Sequence, residues 1–231
     1  MVRINRVHTG GGDSGDTSLV DGTRGLKSSP RLGVVGDMDE LNSMLGVVVM
    51  EISNLPDRHQ DGGFRPTVRR VQDIASISLN RIQQELFDIG AELACSPGKI
   101  PEGIVLLDEV SSDRLVDEMD TWLEELEPLP SFIIPTGKGP VAWLHVARTI
   151  TRRLERGIVG LRDIEGDDSI RDFVLVYLNR LSDWCFVLCR WISSQLGEKE
   201  NLWLPVGKRQ KSKISKVKKM QENDEMSIED V

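Results

Sequence analysis

Arg148, Arg152, Arg153, Glu155 and Arg156 put four guanidinium groups and a carboxylate within one short run of the chain. Apolar residues at Leu144, Ala147, Ile150, Leu154, Ile158 and Leu161 give that run the spacing of a helix with one buried stripe. At about 100° per residue, Arg148, Arg152 and Glu155 fall within roughly 60° of one another on one shoulder of the stripe. Arg156 projects further round, and Arg153 lies on the opposite flank. Arginines at i and i+4 repel, so a sequence that keeps them needs something anionic to meet them. The guanidinium fork suits carboxylates and phosphates, which makes acids on a neighbouring helix or a polyphosphate the candidates. A solvated basic face, with Glu155 as an intrahelical partner, would explain the same pattern.

A second candidate anion site is the stretch Thr9, Gly10, Gly11, Gly12, Asp13, Ser14, Gly15, Asp16, Thr17, Ser18, with Lys27 downstream. Glycines permit positive φ and close backbone approach, and successive N–H groups in such a turn form an anion-binding nest. No Gly-Lys-Ser/Thr follows, so this is not a Walker A loop. A flexible arm would be equally polar.

The elements that must position these groups read as helices. Residues 1–36 are expected to be loop. Asp37 then looks like an N-cap, with Glu40 completing a capping box and Met38, Leu41, Leu45, Val48 and Ile52 as a stripe. Asp39 and Asn42 sit beside that stripe. After a loop over 53–67, a helix is expected with Val71, Ile74, Ser78, Ile82, Leu86, Ile89 and Leu93 in register, Ser78 breaking the apolar pattern. Another is expected from Ser112 to Glu127. Residues 131–140 are too short and too Pro/Gly-marked for a helix and read as an extended loop, with Phe132 either a core anchor or the edge of a pocket. The last helix, from Phe173 to about Leu196, is apolar nearly all round and belongs at the centre of a bundle. On it Asn179, Asp183, Phe186 and Arg190 form one polar-marked strip, which must find partners or face a ligand.

The chain has 231 residues and a net charge of −8, which argues against nucleic-acid binding, since an acidic protein gains little from counterion release. Cys95, Cys185 and Cys189 form no CxxC, and the histidines make no zinc pattern, so no protein-bound metal is expected. No apolar run approaches 18 residues and no signal-peptide core opens the chain, which predicts a cytoplasmic protein without a membrane segment. The sequence divides into a domain over 1–206 and a basic-then-acidic tail over 207–231, expected to be disordered. The fold class expected is all-α, a five-helix bundle with a Gly-rich N-terminal loop.

Together these pieces resemble the trimeric, helical-bundle ATP:cob(I)alamin adenosyltransferases. The resemblance rests on four blocks in the family's order: Thr9 to Ser18 with Lys27; Gly36-Asp-Met-Asp-Glu-Leu-Asn42; Phe132-Ile-Ile-Pro135 followed by His145 to Arg156; and Tyr177-Leu-Asn-Arg-Leu-Ser-Asp183. It covers roughly residues 3–195. Gly11 stands where the family usually has a second threonine, and Trp184 replaces the commoner tyrosine.

The resemblance implies transfer of the 5′-deoxyadenosyl group of ATP to the cobalt of reduced cobalamin, with release of triphosphate. Cobalt(I) is the nucleophile, so no protein nucleophile is required. It further implies that Thr9, Gly10, Gly11, Gly12, Thr17, Ser18 and Lys27 wrap the triphosphate, and that Arg152, Arg153, Glu155, Arg156 and Asn179 line the nucleotide site, with Mg²⁺ held mainly by the triphosphate. Arg148 would pair with Asp39 across the interface of a homotrimer. Phe132, with Asp183, Trp184 and Phe186 as further candidates, would wall the corrinoid. A reductase and an adenosylcobalamin-dependent enzyme are the partners such chemistry implies. The competing expectation is a catalytically inactive nucleotide- or partner-binding bundle.

Overall fold

The computed structural model describes Asn5 and residues 8–208. Five helices carry the fold: α1 (Pro30–Ser53), α2 (Pro66–Leu93), α3 (Glu109–Leu123), α4 (Pro140–Glu165) and α5 (Asp172–Gln195). Ahead of them stands a hairpin of two three-residue antiparallel strands, β1 (Asp16–Ser18) and β2 (Arg24–Leu26), with Thr17 opposite Gly25. The expected tail lies outside the described residues apart from Gly207 and Lys208, which belong to a short 3-10 turn at Val206–Lys208.

Helix α4 packs between α1 and α5; α2 closes the bundle against α1 and α5, and α3 lies on α5. Helix α5 is buried nearly all round, with Tyr177, Trp184 and Trp191 among its fully buried side chains. Trp122 of α3 stacks on Trp191 at 5.5 Å and tilts against Trp184 at 5.4 Å. Cys185 and Cys189 are free, buried thiols, and burial pushes the Cys185 pKa up to about 12. Among the described residues no helix is long and apolar enough to cross a membrane.

Three expectations need correction. Helix α1 begins at Pro30, not Asp37: Ser29 is its N-cap, its hydroxyl accepting from the Leu32 N–H at 3.4 Å, and Pro30 occupies the first turn. The extra two turns are held because Val34 and Arg31 are buried, Arg31 donating to Glu165 and to the Leu93 carbonyl. Residues 1–36 are therefore not all loop. Neither were the strands expected, since three residues are too few to show a period of two. Ser78 does not break the stripe of α2: it is buried and donates to Glu118 Oε1 at 2.9 Å.

That bond belongs to a polar network inside the bundle. Glu118 also takes Arg81 Nη2 at 2.9 Å and the Trp184 indole N–H at 2.7 Å. Arg81 pairs with Glu85, which accepts the Tyr177 hydroxyl at 2.6 Å. Burial is the main cause that raises the Tyr177 pKa, with the Glu85 charge next.

Candidate active site

The glycine loop is folded by its own donors. Gly10 has φ +70°, a left-handed conformation suited to glycine, and its carbonyl accepts from the Asp13 N–H at 3.3 Å. Lys27 donates to the Gly12 carbonyl at 2.8 Å, and Arg24 to the Gly11 carbonyl at 2.6 Å. Arg24 also pairs with Asp16 at 2.6 Å and reaches the Ser18 hydroxyl at 3.1 Å. Arg24 is thus an organiser of this loop that sequence reasoning missed; its partners follow from the strand register, which spacing alone does not reveal. The Asp21 carboxylate binds the hairpin turn to the end of α2, accepting from the Thr23 and Ser96 N–H groups at 2.9 and 3.0 Å. The Thr23 hydroxyl, donating to the same carboxylate at 2.7 Å, and then these N–H groups hold its pKa well below the usual carboxylate range.

A Cβ at Gly12 would sit 3.1 Å from both Lys27 Nζ and the Asp16 carbonyl oxygen. At Gly11 it would meet only Thr9 Oγ1, at 3.6 Å. A side chain at Gly12 would therefore crowd the seat of Lys27, whereas the departure at Gly11 is sterically free.

Hairpin, α1 and α2 line an open cleft of about 770 Å³ that brings Thr17 and Lys27 together with Asp39, Asn42, Met38 and Phe87. Two of the four sequence blocks thus meet in one place. Asn42 is fixed there by reciprocal bonds with Gln83, each amide donating to the other's backbone carbonyl at 3.1 Å, while its own Oδ1 is buried without a partner. Phe87 is exposed at 72% and was not foreseen as part of this wall.

The other two blocks meet elsewhere. Glu155 of α4 accepts from Asn179 Nδ2 of α5 at 3.1 Å. Arg152 is exposed on the same shoulder and makes no side-chain bond among the described residues. Arg156 donates to the Arg152 carbonyl at 3.0 Å. Arg148 is half-buried near Cys185 and Cys189, its Nε without a partner among the described residues. Asp183 is exposed and Phe186 half-buried on the α5 strip that carries Asn179.

The remaining expected site residues divide. Arg153, on the opposite flank of α4, binds Asp37 Oδ1 at 3.2 Å and Glu40 on α1, so its guanidinium already joins two helices. Trp184 is wholly buried between Trp122 and Glu118, a correction to its expected place in a ligand wall: it is turned about 100° from Asp183, toward α3. Phe132 is 78% exposed on the extended 131–139 segment, its ring edge against Trp203 at 6.2 Å. Arg148 and Asp39 do not pair within the chain, since Asp39 lines the hairpin cleft and no residue of α4 or α5 does. Among the described residues no cluster of His, Cys, Asp and Glu could hold a metal ion.

A family model described as cobalamin adenosyltransferase matches residues 7–192. A cobalamin adenosyltransferase of Cupriavidus metallidurans is 36% identical over 87% of this chain and 95% of its own length. A corrinoid adenosyltransferase of Bacillus subtilis is 38% identical over 83% and 89%. Among solved structures, a Phe-to-Ala variant of the PduO-type ATP:corrinoid adenosyltransferase from Lactobacillus reuteri, complexed with cobalamin and ATP, superposes with a TM-score of 0.74. It is 30% identical and covers 87% of this chain and 100% of that one. An Arg-to-Lys variant from the same organism, complexed with ATP, gives 0.72 at 31% identity, over 86% of this chain and 100% of its own. With its model covering most of the sequence on a five-helix chain, the protein belongs to the cobalamin adenosyltransferase family.

Proposed function

We infer that this protein transfers the 5′-deoxyadenosyl group of ATP to the cobalt of cob(I)alamin, giving adenosylcobalamin and triphosphate. The cobalt electron pair forms the bond to C5′ as the C5′–O bond breaks, and the leaving triphosphate takes up the negative charge. The protein has to place C5′ over the cobalt and neutralise that departing charge. The observation that carries the reading is Arg152, exposed and unpaired beside the Glu155–Asn179 bond, on a chain whose glycine loop and Lys27 form a second cationic seat.

The two seats lie on different faces of one chain, so the site is completed by a second copy. Thr9, Gly10, Gly11, Gly12, Thr17, Ser18 and Lys27 of one copy hold the triphosphate with its Mg²⁺. Arg152, Arg156, Glu155 and Asn179 of the next close over the nucleotide. Asp39 of the first copy meets the unpaired Arg148 of the second, an arrangement that closes as a ring of three. Phe132, Asp183 and Phe186 face the corrinoid. Arg153 acts one step back, fixing α4 on α1 through Asp37 and Glu40.

Product analysis by phosphorus NMR tests this reading. Tripolyphosphate should appear in equal amount with adenosylcobalamin. ADP and orthophosphate, or no cobalamin-dependent product, would leave only the nucleotide-binding bundle.

A further inference from the structure

Arg190 closes the polar strip of α5 that begins at Asn179 and lies outside the proposed nucleotide and corrinoid contacts. It is 7% exposed. Its Nε donates to Glu200 Oε1 at 2.6 Å and its Nη2 to the Glu127 carbonyl at 2.7 Å. One guanidinium thus grips two segments, the stretch just before the Phe132 loop and the chain that follows α5.

That following chain is a strap. After the turn at Gly197 (φ +72°) it runs back antiparallel to residues 131–134, with a bridge between Ile133 and Leu202. The Ile134 N–H donates to the Asn201 carbonyl and the Trp203 N–H to the Phe132 carbonyl, both at 2.7 Å. Ser131 Oγ donates to the Trp203 carbonyl at 2.9 Å. Beneath strap and loop lies a cavity of about 40 Å³, walled by His145, Cys189 and Ser193, so the pair spans a small gap instead of resting on close-packed core. Phe132 itself is mostly in solvent, and its backbone is placed by the strap.

We propose that Arg190 and Glu200 are positioning residues for Phe132: the ion pair fixes the strap, and the strap's ladder fixes the loop that carries the ring. The proposal rests on the reading that Phe132 faces the corrinoid. A buried, doubly bonded guanidinium suits this task, because Arg190 is itself held by the well-packed α5, and loss of one partner leaves the other poorly compensated. Lys138–Glu198, at 3.5 Å with Lys138 in solvent, is too exposed to substitute.

The test uses the full-length protein with Glu200→Ala, Glu200→Gln, Phe132→Ala and the Glu200→Ala/Phe132→Ala double variant. Hydrogen exchange without substrates reads the mechanical part: the Ile134 and Trp203 amides should exchange at least about tenfold faster in Glu200→Ala, with α5 unchanged. Glu200→Gln, which keeps an acceptor for Arg190, should restore most of the protection. Kinetics read the consequence: Glu200→Ala should raise KM for cob(I)alamin about tenfold and leave the ATP dissociation constant within about twofold. In the Phe132→Ala background the same substitution should cost almost nothing further. Unchanged exchange, or a Glu200→Ala penalty of equal size with and without the ring, overturns the proposal. Faster exchange in a protein whose wild type forms no adenosylcobalamin would instead overturn the reading of the site and, with it, the role given to Phe132.

Discussion

Asp37 and Asp39, two residues apart on α1, face opposite sides of the helix. Asp37 binds Arg153 of α4 at 3.2 Å, while Asp39 lines the cleft under the hairpin. Two residues turn a helix through about 200°, so one carboxylate is used to pack the bundle and the other is left for something outside it. Arg148 shows the complementary condition, a half-buried guanidinium whose Nε has no partner among the described residues. An unpaired buried donor costs stability until it is met, which is the physical reason for expecting the two to meet between copies.

Arg152→Ala should lower kcat/KM by about 10²-fold or more, the usual cost of removing one donor to a developing anion, while the fold survives. Arg152 makes no side-chain bond among the described residues, so circular dichroism and the melting temperature should stay at wild-type values. A near-normal rate would show that the triphosphate is held elsewhere.

Substitutions in the glycine loop should separate cleanly. Gly12→Ala pushes against Lys27 Nζ and should raise the KM for ATP about tenfold, through lost positioning of the triphosphate. Gly11→Ala meets only ordinary contact with Thr9 and should stay within about twofold. Steady-state kinetics at saturating cob(I)alamin distinguish the two; equal effects would contradict the assignment of Lys27.

Trp184→Phe keeps a ring in the core but removes the indole N–H that Glu118 accepts at 2.7 Å. The expected loss is about 1–3 kcal/mol of unfolding free energy in urea, with KM for cob(I)alamin unchanged. A raised KM at undiminished stability would return Trp184 to the corrinoid wall.

Helices α4 and α5 were legible in the sequence because their stripes are long and their polar residues fall on single shoulders. The same arithmetic separates Trp184 from Asp183, yet sequence similarity alone grouped them. The start of α1 was hidden because the exposed Gly33 and Gly36 lower its helix propensity and its buried stripe opens on a charged residue, Arg31; what holds it is Arg31 reaching Glu165, far along the chain. Arg24 and the 198–204 strap have no periodic signal. Their roles arise from backbone pairing with distant residues, which local pattern does not encode. The four site blocks were visible; that they would divide between two faces was not a matter of spacing but of which helix lies beside α4.

His145 is buried with Nδ1 unpartnered, and burial first, then the Arg148 charge, lowers its pKa below the usual 6.5. The unfolded chain therefore takes up a proton that the folded one refuses. The resulting penalty is absent above pH 6.5, grows as pH falls through that value, and is complete below the folded pKa. Urea unfolding of wild type and His145→Gln across this window should show the difference between them shift in favour of the variant as pH falls. A pH-independent difference would mean His145 finds a partner for its charge.

The division of the site between two faces is tested most directly by mixing inactive subunits. Asp39→Ala and Arg148→Ala should each lose nearly all adenosylcobalamin formation. Co-expressed and randomly assembled in rings of three, every mixed ring contains one site with both native residues, so about a quarter of wild-type activity should return. Recovery to that level is expected of a site shared between copies; a mixture as inactive as its components would rule the sharing out.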